Sequence, residues 1–137
     1  MKYILVLTFM ISSLLAGNYE KGMTAYNQGN YKKAVRLYTL SANEGNCNAQ
    51  VKLGLMYEIG FGINQDYKEA ARLYTLCANQ GNTDGQLHLG LMYVMGQGVK
   101  LDKTAAFNWW SQAAKQGNSK AQNYLDKLCK TSPSACK

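Results

Sequence analysis

Leu53-Gly54-Leu55-Met56-Tyr57-Glu58-Ile59-Gly60-Phe61-Gly62 is the stretch that decides the fold. Thirty-six positions later the chain reads Leu89-Gly90-Leu91-Met92-Tyr93-Val94-Met95-Gly96-Gln97-Gly98. The register holds beyond these segments. Asp66 pairs with Asp102, Ala70 with Ala106, Tyr74 with Trp110, Ala78 with Ala114, and Gly81-Asn82 with Gly117-Asn118. Self-similarity at a fixed period of this length marks a helical solenoid, in which one supersecondary unit stacks on the next.

Each copy predicts two helices. Helix A spans about 48–59 and about 84–95; helix B spans about 66–79 and about 103–115. Gly60-Phe61-Gly62-Ile63 and Gly96–Leu101 make the connections, with glycines that permit positive φ. Asp66 and Asp102 stand where an N-cap carboxylate is wanted. Gly54 and Gly90 fall inside helix A. A helical glycine costs about 1 kcal/mol relative to alanine, so the repeated placement predicts a close helix–helix contact. Tyr57, Tyr93, Ala70 and Ala106 recur as structural repeat positions.

Upstream, residues 18–45 predict an opening helical pair. Its turn is four residues shorter, since Gly22 to Ala34 is twelve positions and Gly54 to Ala70 is sixteen. Gly29-Asn30 supplies the tight turn, and a second helix follows over about 31–43. Downstream, a last unit starts at Ser119 and breaks at Thr131-Ser132-Pro133-Ser134. A terminal helix covers the final apolar face of a solenoid. The expected architecture is all-α: antiparallel helix pairs stacked in a right-handed superhelix, without strands. The expected division is a signal peptide at 1–17, a repeat domain at 18–130 and a tail at 131–137. The units fall at about 18–47, 48–83 and 84–118, with a cap at 119–130.

The spaced positions Ala49, Leu53, Gly54, Met56, Tyr57, Gly60, Gly62, Ile63, Asp66, Ala70, Tyr74, Ala78 and Gly81 closely resemble the Sel1-like repeat, a relative of the tetratricopeptide repeat. The second copy carries Gly85 for Ala49 and Val99 for Ile63. The likeness covers about residues 48–119, and the opening pair resembles the plain tetratricopeptide pattern more closely. The resemblance implies a scaffold and no particular chemistry. It also implies that the A helices line the concave side. That places Tyr19, Met23 and Tyr26, then Val51, Leu55 and Ile59, then Leu87, Leu91 and Met95 in a groove. All nine are apolar or aromatic, which suits a partner helix or an extended peptide. The alternative is that they pack A helix against A helix.

The chain opens Met1-Lys2-Tyr3, runs apolar from Ile4 to Ile11, and passes through Ser12-Ser13-Leu14-Leu15-Ala16-Gly17. One charge, an apolar core and small residues read as a secretory signal, cleaved after Ala16 or Gly17. The run falls short of the about 20 apolar residues that span a bilayer, so no stable membrane anchor is expected after cleavage. The expected location is periplasmic or secreted, in a bacterium. Without Lys2 the 15 basic residues become 14 against 8 acidic ones, a net charge of +6. The charges are scattered, with neither an arginine-rich helix nor the basic and aromatic interleaving that nucleic acid demands.

Cys47, Cys77, Cys129 and Cys136 form an even set behind an export signal, the pattern of a disulfide framework. Four cysteines allow three pairings. Small secreted Sel1 proteins with cysteines resemble the Helicobacter cysteine-rich family, in which a cysteine near the start of helix A bridges one near the end of helix B. Cys47 and Cys77 lie in those neighbourhoods, offset by a few residues, and antiparallel helices bring these ends together. Cys129 and Cys136 flank Pro133 and can close a short loop. The expected bridges are Cys47–Cys77 and Cys129–Cys136; the alternative is four buried thiols.

That family binds penicillins and carries a β-lactamase label, so a β-lactam-binding or hydrolysing protein is the one enzymatic alternative to a scaffold. No catalytic set is legible. Ser134-Ala135-Cys136-Lys137 matches Ser-x-x-Lys, but at the chain end and without further motif partners. His88 takes the place of Lys52 and reads as solvated. No cysteine or histidine spacing suits a metal, and neither a phosphate loop nor a cofactor motif is present; Trp109-Trp110 reads as packing.

Overall fold

The structure, a computed structural model, describes residues 17–137. The segment expected to direct export lies outside them apart from Gly17. Among the described residues seven α-helices follow one another: α1 (Asn18–Asn27), α2 (Tyr31–Asn43), α3 (Cys47–Ile59), α4 (Tyr67–Asn79), α5 (Thr83–Met95), α6 (Lys103–Lys115) and α7 (Ser119–Thr131). A 3-10 turn at Pro133–Cys136 closes the chain. Among the described residues there is no strand. Each helix packs chiefly on its neighbours in sequence, so the pairs α1/α2, α3/α4 and α5/α6 stack as a solenoid with α7 at the end.

The first helix starts at Gly17 without a side-chain cap, and each later α-helix starts where an Asx side chain satisfies a free N–H group. Asn30 accepts from Lys33, Asn46 from Ala49, Asp66 from Glu69, Asp102 from Ala105 and Asn118 from Ala121, at 2.9–3.2 Å between nitrogen and oxygen. Asn82 accepts from both Asp84 and Gly85. Helix A of the longer units ends in a left-handed glycine, Gly60 or Gly96, whose N–H returns to the carbonyl of Met56 or Met92.

Three glycines on successive A helices admit an aromatic ring from helix B of the same unit. A methyl on Gly22 would stand 2.7 Å from the Tyr38 ring, and one on Gly54 would stand 2.6 Å from Tyr74. One on Gly90 would overlap the Trp110 indole. Tyr38, Tyr74 and Trp110 are among the most buried side chains. Burial pushes the Tyr38 phenol up to about 12, with Tyr19 and Tyr26 adding to the effect.

The four extra residues of the longer units have a physical use. A methyl on Gly62 would come within 2.5 Å of the Tyr31 backbone, and one on Gly98 would overlap that of Tyr67. Each loop therefore docks on the first turn of the preceding helix B. Helix A and helix B are further clasped by polar side chains. Gln80 donates to Gln50 at 3.1 Å, Gln116 to Gln86 at 3.3 Å, and Asn18 to Glu44 at 2.9 Å. Gln50 and Gln86 are buried, so these partners offset the loss of water.

Cys47 and Cys77 are bridged with Cα atoms 4.9 Å apart, as are Cys129 and Cys136 at 5.7 Å. Both separations lie in the range a disulfide prefers.

Candidate functional site

The expected groove residues sit on α1, α3 and α5, and the structure divides them. Met23, Ile59 and Met95 are exposed, while Leu55 and Leu91 are half-buried beside them. Tyr26, Leu55 and Ile59 line one depression between α1 and α3, together with Lys52 and Phe61, of about 40 Å³. Leu91 and Met95 line another between α5 and α7, of about 290 Å³, floored by Trp110 and Tyr124. The two depressions are repeat-equivalent: Lys52, Leu55, Met56 and Ile59 correspond to Tyr124, Lys127, Leu128 and Thr131.

Three expected residues turn inward. Leu87 is a correction. It is 7 % exposed and packs in the core with Ala106 and Trp110, and its carbonyl accepts the Trp110 indole N–H at 3.0 Å. Its side chain serves the joint between α5 and α6, not the groove. Val51 packs against the cluster around Tyr74 and Leu89, and Tyr19 leans on Tyr38 with ring centroids 5.9 Å apart.

Between α3 and α5 the corresponding place is filled by a polar stack that sequence reasoning missed. The Tyr74 hydroxyl donates to the Glu58 carboxylate, and the His88 ring stacks on Tyr74 with centroids 4.9 Å apart. His88 is half-buried, not solvated as its Lys52 counterpart suggested. Burial holds its imidazole below the ordinary value, against the opposite pull of Glu58 and Asp84 and with a small push from Lys120. Burial, then the bond to Glu58, raises the Tyr74 phenol. One signal could have found this stack. Tyr124, at the position of His88 in the next unit, stacks in the same way on Trp110, at 5.1 Å.

Ser134 lies exposed in the 3-10 turn and Lys137 just beyond it. Among the described residues no cluster of His, Cys, Asp or Glu is arranged to hold a metal ion, and no helix is long and apolar enough to cross a membrane.

Residues 14–46, 47–82 and 83–118 each match the Sel1 repeat model. The chain belongs to the Sel1 repeat family, whose members are helical scaffolds commonly engaged in protein–protein interaction. Among curated proteins, none matches it. Solved structures do. A protective antigen of uropathogenic Escherichia coli with an SLR fold is 36 % identical, with a TM-score of 0.76 over 81 % of this chain and 25 % of that one. A Sel1 repeat protein of Oxalobacter formigenes is 29 % identical, with a TM-score of 0.76 over 82 % and 45 %. Cysteine rich protein B of Helicobacter pylori is 26 % identical, with a TM-score of 0.65 over 68 % and 70 %. This chain therefore spans a quarter of the first relative and less than half of the second.

Proposed function

We propose that the protein is an exported interaction scaffold that holds a partner helix or extended peptide in the apolar groove along its A helices. The observation that carries this reading is the recurrence of one apolar depression at two equivalent places. Leu55 and Ile59 line the first; in the second their counterparts are Lys127 and Thr131, and Leu91 and Met95 stand on the facing helix. Exposed, adaptable side chains such as Met23, Ile59 and Met95 suit an apolar partner surface. Two cysteine pairs at bridging distance suit an oxidising compartment.

Leu55→Asp and Leu91→Asp place a carboxylate in the apolar lining of each depression, beside Lys52 in one and Lys103 and Lys127 in the other. Each variant, shown by circular dichroism to keep its helices, is expected to lose capture of the partner from the envelope fraction. Capture unchanged in both moves the site to the loops or the B helices. Export has its own test: the mature protein is expected to begin after Ala16 or Gly17 by mass spectrometry. Nitrocefin left unhydrolysed by the pure protein is the outcome expected of a scaffold; turnover would make it an enzyme.

A further inference from the structure

The repeats are close copies, so departures from them carry information, and two departures meet in one place. The position filled by Tyr31 and Tyr67 at the start of helix B becomes Lys103 in the third unit. The position filled by Leu55 and Leu91 on helix A becomes Lys127 on α7. Both lysines line the depression between α5 and α7. Val94 widens the same site, where the equivalent depression at α1 has the larger Tyr26. The result is an apolar pocket floored by Trp110 and Tyr124, open where Leu91 and Met95 stand, with two exposed ammonium groups at its rim. Among the described residues no acidic side chain lines it. The Lys103 Nζ spends one donor on the Ser132 hydroxyl at 2.8 Å, and an ammonium has three.

We propose that this pocket is the specificity-determining subsite of the groove. It takes an acidic peptide segment in which a large apolar side chain lies next to one or two carboxylates. The apolar side chain enters against Trp110 and Tyr124, and the carboxylates meet Lys103 and Lys127. Charge complementarity selects this occupant. Two lysines beside an apolar floor repel a basic amphipathic segment and gain charge-assisted bonds from an acidic one. The proposal rests on the groove reading and narrows it to one end of the array.

The test starts from a display library of random dodecapeptides, selected on the full protein with its disulfides intact. An enriched peptide is then titrated by fluorescence anisotropy against wild type, Lys103→Gln/Lys127→Gln and Leu55→Asp, each checked by thermal melting. The expected result is enrichment of Asp or Glu beside an apolar residue. The double lysine variant should bind roughly tenfold more weakly, and affinity should fall with added salt. Peptides without acidic bias, bound equally by the lysine variant but lost in Leu55→Asp, overturn this proposal and leave the groove standing. An enriched peptide that neither variant weakens, or no enrichment at all, overturns both.

Discussion

At the scale of single residues, space decides where conformation does not. Gly90 is helical and needs no unusual φ, yet a methyl there meets the Trp110 indole. Gly90→Ala therefore gains helix propensity, about 1 kcal/mol, and loses packing and the indole bond to the Leu87 carbonyl. The overpacking is the larger effect, with a net destabilisation of about 1–3 kcal/mol expected in urea unfolding. A variant as stable as the parent would mean that the ring moves aside freely. His88 gives a second prediction. Its folded pKa lies below the ordinary value because burial disfavours the charged form. The unfolded chain then binds the proton more readily. The stability this neutral ring contributes is complete above an unfolded value near 6.5 and is lost as pH falls through the lower folded value. The melting temperature should decline as pH falls below the ordinary imidazole value near 6.5. His88→Tyr, which copies the Tyr124 stack, should decline less. Parallel profiles for the two proteins would count against the buried-imidazole account.

At the scale of helices and loops, the sequence was most legible where a local rule was at work. Asp66 and Asp102 cap as their spacing predicted, and Gly60 and Gly96 end their helices in the left-handed conformation. The polar clasps were harder to see, because each joins residues about thirty positions apart, and a single glutamine reads as solvated. The clue was present: Gln50 recurs as Gln86 and Gln80 as Gln116, at the repeat period. Of the apolar residues placed on the A helices, Met23, Ile59 and Met95 are exposed. What periodicity could not say was which apolar residues face a neighbouring helix, and Leu87 was lost to the core for that reason. The cysteine pairs belong to this scale. Cys47–Cys77 closes 30 residues and Cys129–Cys136 closes 7. On the chain-entropy account these are worth about 3.6 and about 2.4 kcal/mol. Peptide mapping without reductant should recover those two linked pairs, and Cys47→Ser/Cys77→Ser should lower stability more than Cys129→Ser/Cys136→Ser. A crossed pair, or four thiols open to labelling, would remove this contribution.

At the scale of the molecule, the last described helix departs from the repeat pattern. Helix α7 is a helix A without a helix B, yet Ala121, Leu125 and Leu128 on it are buried against α6 and its neighbours. Where α3 and α5 carry Gly54 and Gly90 to admit a ring, α7 carries the exposed Asp126. The chain then turns back. The 3-10 turn packs on α6 and α7, buries Ala135, and is tied down by the Cys129–Cys136 bridge. Because contacts run between sequence neighbours, stability in such an array is a sum of unit and nearest-neighbour terms. Loosening the end should therefore be felt at the end. In Cys129→Ser/Cys136→Ser, hydrogen exchange measured by mass spectrometry should quicken in α7 and the tail, and less so in α6. In α1 to α4 the rates should stay at those of the parent. Equal acceleration along the chain would show that the units open as one, and that the cap protects the whole array, not its last joint.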